Sequence, residues 1–121
     1  MGKKKSTNRI QPILSRLKGV EDSEVIMKEL QVALSDSQSQ MPIPGKVYVY
    51  TYIANSAELL TDMYPVVAVE GVYEWGWTGI NLHLKKQRNY NIGSNATPLY
   101  MVKANEVQTL LTLPLMQLYQ S

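Results

Sequence analysis

The sequence predicts an α+β domain built on a small antiparallel sheet, curled in the manner of an SH3-like barrel. Short segments of strand character are joined by compact turns, and apolar residues at helical spacing are confined to the two ends of the chain. The 121 residues suffice for one hydrophobic core and leave little room for a second. Curling would hide the edges that a four-stranded sheet leaves exposed.

Two short helices are predicted near the N-terminus. The first covers about 11–18, where apolar residues recur on one face and Gly19 follows the last turn. The second covers about 23–35, where Asp22 or Ser23 can cap the first N–H groups. Helices this short are marginal in water by themselves, so we expect both to dock on this domain or on another chain.

Four strands are expected after a linker in which two prolines and a glycine interrupt regular structure. The first strand, "VYVYTYI", alternates tyrosines with β-branched residues. Gly71 is expected to mark a bulge or a bend, and Asn105 to cap a C-terminal helix that ends at Pro114. The strands are expected at 47–53, 64–75, 77–84 and 98–103, with a turn-rich loop over 85–97. The resulting division is a basic arm (1–9), a helical segment (10–35), a linker (36–46), a β-rich core domain (47–113) and a C-terminal tail (114–121).

The third strand contains the only histidine of the chain, His83. Alternation predicts that Ile80 and its even-numbered neighbours face the core. Trp77, Asn81 and His83 would then share an outward, polar face. Hydrogen bonding of His83 across the sheet with Asn81 is the more ordinary interpretation, and a partner contact is the alternative.

Positive charge is concentrated at the start of the chain. Residues 19–121 hold six basic and ten acidic residues, a formal charge of about −4. A second basic cluster, Lys85, Lys86 and Arg88, lies near Trp77 and could bind phosphate groups. Alternatively the arm is a solvated terminus and this cluster a charged loop. The candidate contacts for DNA or an acidic partner ahead of Gly19 are Lys3, Lys4, Lys5, Arg9, Arg16 and Lys18.

The tyrosines of the first strand form a candidate protein interface. Tyr48, Tyr50 and Tyr52 share one face, and half-buried core is the ordinary role of such a stripe. The chain has eight tyrosines and no phenylalanine, a bias that suits amphipathic contact surfaces.

Several classes of chemistry find little support in the composition. Without cysteine, a disulfide framework, a thiol nucleophile and a cysteine-rich zinc site are excluded. Paired carboxylates, nucleophile motifs and phosphate-binding loops are not evident, so no catalytic, cofactor or metal residue is predicted and an enzyme centred on His83 ranks third. No apolar run approaches the ~20 residues that span a bilayer, so a membrane is not expected as a partner. Since no catalytic or phosphate-binding motif is evident, a small-molecule substrate is not expected either.

Three short motifs follow one another in the middle of the chain: Pro44-Gly45-Lys46 at the start of an aromatic strand, then "LLTDMYPVVAVE", then "GWTGINLHL". Their order resembles a group of small proteins of large tailed bacteriophages, commonly labelled DNA-end protector or virion structural proteins. The resemblance covers about residues 44–88. This chain departs from the group at Leu84 and Lys85, where an aromatic residue and a proline are usual, and its middle segment is less acidic. The shared positions are Pro44, Gly45, Tyr64, Pro65, Gly76, Gly79, Asn81 and His83.

This resemblance implies a small structural component of a tailed-phage virion, in the head, the neck (as in a head–tail connector) or the tail. Its partners would be other virion proteins and, through the basic arm, double-stranded DNA. It would be located in the virion, and in the host cytoplasm during assembly. The alternative is a DNA-binding or DNA-end-capping module without catalytic activity.

Overall fold

A six-stranded antiparallel sheet forms the centre of the protein in a computed structural model that describes residues 8–52, 63–91 and 98–116. The strand order is β1-β6-β2-β3-β4-β5. The predicted α+β class is confirmed, and the sheet is curled, but its edge strands β1 and β5 do not pair within the described residues, so it is not a closed barrel. The elements are α1 (Gln11–Arg16), α2 (Ser23–Ala33), β1 (Gln38–Ser39), β2 (Val47–Val49), β3 (Val66–Tyr73), β4 (Gly76–Asn81), β5 (Lys86–Asn91), β6 (Leu99–Val102) and α3 (Ala104–Thr112).

Both N-terminal helices form where their apolar spacing predicts them. Gly19 follows α1 with a φ of 87°, a left-handed conformation that favours glycine. The side chain of Asp22 caps α2 by accepting a hydrogen bond from the Glu24 N–H at 3.0 Å. Both helices contribute buried side chains to the core on one face of the sheet, so they dock on this domain.

The sheet is buried on both faces. One face, which we call the helix-side core, packs against the three helices, and Val49 and Val66 lie at its centre. The opposite face, the tyrosine-side core, brings together Tyr48, Tyr50, Val67, Val69, Trp77, Tyr90 and Leu99.

The tyrosine stripe is therefore core. Tyr48 and Tyr50 are only 1% and 3% exposed, so the prediction of a partner interface is wrong for these two residues. Tyr50 packs edge-on against Trp77 and Tyr90, with ring centroids 5.8 and 5.9 Å away. Tyr52 is half-buried and packs on Tyr90 at 5.3 Å.

Two strands occur where the sequence predicted none. β1 lies in the expected linker and pairs with β6. β5 lies in the expected loop over 85–97, because β4 supplies its pairing partners despite a polar composition unfavourable to strands. The predicted bulge at Gly71 is confirmed, since the β3–β4 register shifts between Val69 and Gly71.

The remaining differences concern the ends of elements. The third predicted strand stops at Asn81, and residues 82–85 form a turn. Asn105 is not the cap of α3: Lys103 precedes the helix, and its N–H donates to the Glu106 carboxylate at 2.9 Å. No helix in the described part of the chain is long and apolar enough to cross a bilayer. The predicted elements within 53–62, 92–97 and 117–121, and the lysines at 3–5, lie outside the described residues.

Candidate interaction site

Asn81 organises the turn between β4 and β5. Its side-chain oxygen accepts hydrogen bonds from the backbone N–H groups of His83 and Leu84 at 2.9 and 3.0 Å. Its amide nitrogen donates to the Tyr90 hydroxyl at 3.3 Å, and its own backbone oxygen accepts from the Lys85 N–H at 2.6 Å. Asparagine is suited to this role because its short side chain can replace a backbone acceptor in a turn. The tight turn therefore explains why an asparagine stands two residues before His83.

Gly76 and Gly79, in the same stretch, occupy positions where the backbone favours glycine. Gly76 follows the β3–β4 turn with a φ of 152°. A Cβ on Gly79 would lie 2.5 Å from Cγ1 of Val67 and 2.6 Å from the backbone oxygen of Ala68. The adjacent strand approaches so closely that only glycine fits without a shift.

The predicted faces of β4 are reversed in the structure. Trp77, Gly79 and Asn81 point into the tyrosine-side core, and Asn81 is only 1% exposed. Ile80 is instead 37% exposed. The pattern alone favoured the apolar Ile80 for the interior, but a sheet buried on both faces places the aromatic and asparagine side chains inside as well. The outward polar face predicted for Trp77 and Asn81 is therefore wrong.

An exposed aromatic pair lies at the turn of the β3–β4 hairpin. Tyr73 and Trp75 stack with ring centroids 5.3 Å apart and planes within 5° of parallel, and they remain 49% and 46% exposed. The Tyr73 hydroxyl lies above Gly71, where it would be 2.6 Å from a Cβ, so the glycine makes room for the ring. Exposed aromatic side chains of this kind are enriched at protein interfaces.

The strand register places Ile80 on the same face of the sheet as Tyr73. Gly71 on β3 pairs with Thr78 on β4. Tyr73 is two residues after Gly71, and Ile80 is two residues after Thr78, so alternation places both on the face that Gly71 and Thr78 share. Two carboxylates accompany these apolar groups, Glu74 within the turn and Glu70 at the bulge, and both are exposed. We call this surface the hairpin platform: Glu70, Tyr73, Glu74, Trp75 and Ile80.

Alternation along β5 separates the basic side chains from the hairpin platform. Gln87 and Asn89 oppose Ile80 and Thr78 and so share the face of the platform, where the Gln87 amide donates to Glu70 at 3.0 Å. Lys86 and Arg88 oppose Asn81 and Gly79 and therefore lie on the other face. The residues described on the platform face of these three strands thus carry negative or no formal charge.

The second predicted basic cluster is only partly assembled. Lys85 and Lys86 are exposed at the β4–β5 turn, and Lys85 adopts a left-handed φ of 57°. Arg88 is half-buried. Trp77 is buried, and its indole N–H donates no hydrogen bond to any described residue, so it offers no surface for base stacking beside these cations.

Arg9 does not belong to a free arm. Its guanidinium forms an ion pair with the fully buried Glu106, through Nη2 at 2.8 Å and Nε at 2.9 Å. It also donates to Ser37 Oγ at 2.7 Å and to the Met101 carbonyl at 3.3 Å. The prediction that Arg9 contacts DNA is wrong, because its guanidinium is paired with Glu106 inside the fold.

The electrostatics of this pair reinforce the contact. Hydrogen bonding to Glu106 raises the pKa of Arg9 above its ordinary value. Burial alone would raise the pKa of Glu106, but hydrogen bonds from the Arg9 side chain and from the backbone N–H groups of Arg9 and Lys103 hold it below its ordinary value. The carboxylate accepts four hydrogen bonds in total, and both oxygens are used.

The other two described cations of the N-terminal region lie on the helices. Arg16 is exposed and forms a surface ion pair with Glu29. Lys18 is exposed beside a shallow groove of about 560 Å³. These two residues and Arg9 are therefore not brought together on one surface.

His83 lines an open groove of about 690 Å³ together with Glu21, Lys85 and Gln108. The histidine is half-buried, in the turn that Asn81 organises. Across the described ranges, no three side chains of the metal-ligating types converge.

Neither the family models, nor the curated proteins, nor the solved structures compared with this chain include a match. Residue-level geometry therefore carries the functional argument. The sequence did hold a signal for the hairpin platform that was not used: "YEW" between two strands puts two aromatic residues around an acidic residue in a tight turn.

Proposed function

We propose that this protein is a small structural component of a tailed-phage virion, acting in head, neck or tail assembly through protein–protein contacts. It would be incorporated in the virion after residing in the host cytoplasm during assembly. The observation that carries the proposal is the hairpin platform, an exposed aromatic surface on the β3–β4 hairpin of a small protein.

The structural roles of three shared motif residues support the proposal of a virion structural protein. Gly76, Gly79 and Asn81 fix the two turns and the close strand packing of β3, β4 and β5. A motif that specifies the shape of a hairpin suits a protein whose work is to present a surface to its neighbours. The platform also continues the sheet face that carries the helices, at a place the described helices leave open.

Purified particles provide the test of this proposal. We expect the chain to be a stoichiometric component of the virion, located by density or by quantitative mass spectrometry. A variant lacking residues 2–7 should fold normally, because the deletion ends before the Arg9–Glu106 pair. It should be incorporated poorly, because it lacks the lysines of the basic arm. A variant with Lys3, Lys4 and Lys5 replaced by glutamine tests the charge without shortening the chain. Particles that lack the protein, or normal incorporation of both variants, would contradict the proposal.

A DNA-binding or DNA-end-capping module remains the second candidate, favoured by the adjacent exposed lysines at the β4–β5 turn. If these residues bind phosphate, duplex DNA ends should bind at low salt and release steeply as salt rises. Charge reversal of Lys85 and Lys86 should reduce the affinity by at least about tenfold. Charge reversal of Lys28, on the exposed side of α2, is the matched control. Binding that is absent at low ionic strength, or equal in the two variants, would remove this candidate.

A further inference from the structure

The hairpin platform combines two properties that restrict its partner. Its apolar part consists of Tyr73 and Trp75, stacked at the turn, and Ile80, which lies farther along the same face beyond the Gly71–Thr78 pair, and all three are exposed. Its charged part consists of Glu70 and Glu74. A phosphate-bearing ligand would be repelled by these carboxylates, whereas a cationic side chain with an aliphatic stem would satisfy both parts.

Lysine fits this surface in a specific way. The Tyr73 and Trp75 rings stack on each other, and about half of each side chain remains exposed. An ammonium group placed over the open face of an aromatic ring is attracted by its quadrupole, and a carboxylate nearby strengthens the attraction. Glu74 lies between the two aromatic residues in the chain, and Glu70 lies at the bulge preceding them. A short run of lysines offers cations for the carboxylates and aliphatic stems for the aromatic rings.

The chain itself carries such a run, Lys3–Lys5, ahead of the anchored Arg9. We propose that the hairpin platform binds Lys3–Lys5 of a second copy of this chain. The inference rests on the proposed function, because it names the partner in that assembly and assigns the basic arm to an acidic neighbour instead of DNA.

The two contact surfaces are different, so the contact is heterologous. Asn8 joins the start of the described chain to α3, by hydrogen bonds to the Asn105 carbonyl and the Thr109 hydroxyl at 3.1 and 3.0 Å. The platform is at the β3–β4 turn. A head-to-tail contact of this kind generates a ring when its rotation closes and a filament when it does not.

Self-association of the full-length protein is the measurement that tests this inference. Sedimentation velocity over a concentration series should show weak, reversible association at low salt that disappears as screening increases. Glu74→Lys should weaken the association by at least about tenfold, because it places like charges in contact. Glu21→Lys makes the same charge change at an exposed residue outside the hairpin platform, in the groove beside the β4–β5 turn, and should leave association within about twofold of the original.

A charge exchange distinguishes contacts between copies from contacts within one copy. The variant with Lys3, Lys4 and Lys5 replaced by glutamate should not associate, and neither should the variant Glu70→Lys/Glu74→Lys. An equimolar mixture of the two should associate, because each then offers the other a complementary arm and platform. Only a contact between copies can be restored by mixing.

Three results would overturn the inference. One is a monomer at every concentration, which would leave the virion proposal to its own test on purified particles. Another is equal association of Glu74→Lys and Glu21→Lys. The third is a mixture of the exchanged variants that stays monomeric although circular dichroism shows both to be folded.

Discussion

Replacing Arg9 with methionine should lower the free energy of unfolding by about 3–5 kcal/mol, the usual effect of leaving a buried charge without its partner. Glu106 is fully buried, and Arg9 supplies its charge-neutralising contacts through Nε and Nη2. Methionine keeps much of the apolar stem but none of the charge. Urea denaturation followed by circular dichroism measures the difference.

Arg16→Met is the matched control, because Arg16 also pairs with a glutamate but at the surface. Such a pair contributes about 0–1 kcal/mol. The double variant Arg9→Met/Glu106→Leu should be less destabilised than Arg9→Met alone, since no buried charge then remains. Similar losses for Arg9→Met and Arg16→Met would contradict the structural account of the pair.

The same pair gives the stability a defined pH dependence. Because the pKa of Glu106 is lower in the folded protein than in the unfolded chain, the unfolded chain binds more protons at acid pH. The stabilisation is present above the unfolded value of about 4.3 and is lost as the pH falls through the lower folded value. The difference between the original protein and Arg9→Met should therefore be largest near neutral pH and narrow below about pH 4.

Asn81→Ala should cost roughly 2–3 kcal/mol, because the N–H groups of His83 and Leu84 lose their acceptor in a partly buried turn. The Tyr90 hydroxyl loses a donor as well. Native-state hydrogen exchange should show the greatest acceleration at the amides of these two turn residues. Asn89→Ala, at an exposed position on β5, is the control and should change the stability by about 0.5 kcal/mol or less. If both variants cost the same, the turn does not depend on Asn81.

Local patterns were sufficient for the helices and for strands with strong alternation. The apolar spacing that predicts α1 and α2 and the β-branched residues of β3 are properties of consecutive residues, and the structure confirms these elements. The strand β5 has no such local signal, because its pairing with β4 overrides the preference of its polar residues for turns. A pattern-based prediction cannot include a partner strand that it has not yet placed.

The candidate site was harder to predict for a related reason. Arg9 and Glu106 are 97 residues apart, and nothing near either residue indicates the other. The reversed face of β4 followed from assuming a single core, although the tyrosines of β2 require a second buried layer. Asn81 and Gly79 appear in the sequence as shared motif positions, and their roles in the turn and in the close approach of β3 depend on neighbouring strands.

The place of β6 in the sheet affects how the chain can acquire its fold during synthesis. Of the described strands, β6 is the last to leave the ribosome, yet it lies inside the sheet, between β1 and β2. Until it emerges, the meander from β2 to β5 can pair, but β1 has no strand beside it and β2 presents an open edge. Unpaired strand edges of this kind recruit other chains. Chains that end before Leu99 therefore expose the edge of β2 that β6 covers in the complete sheet, and we expect them to aggregate more readily than the full-length protein.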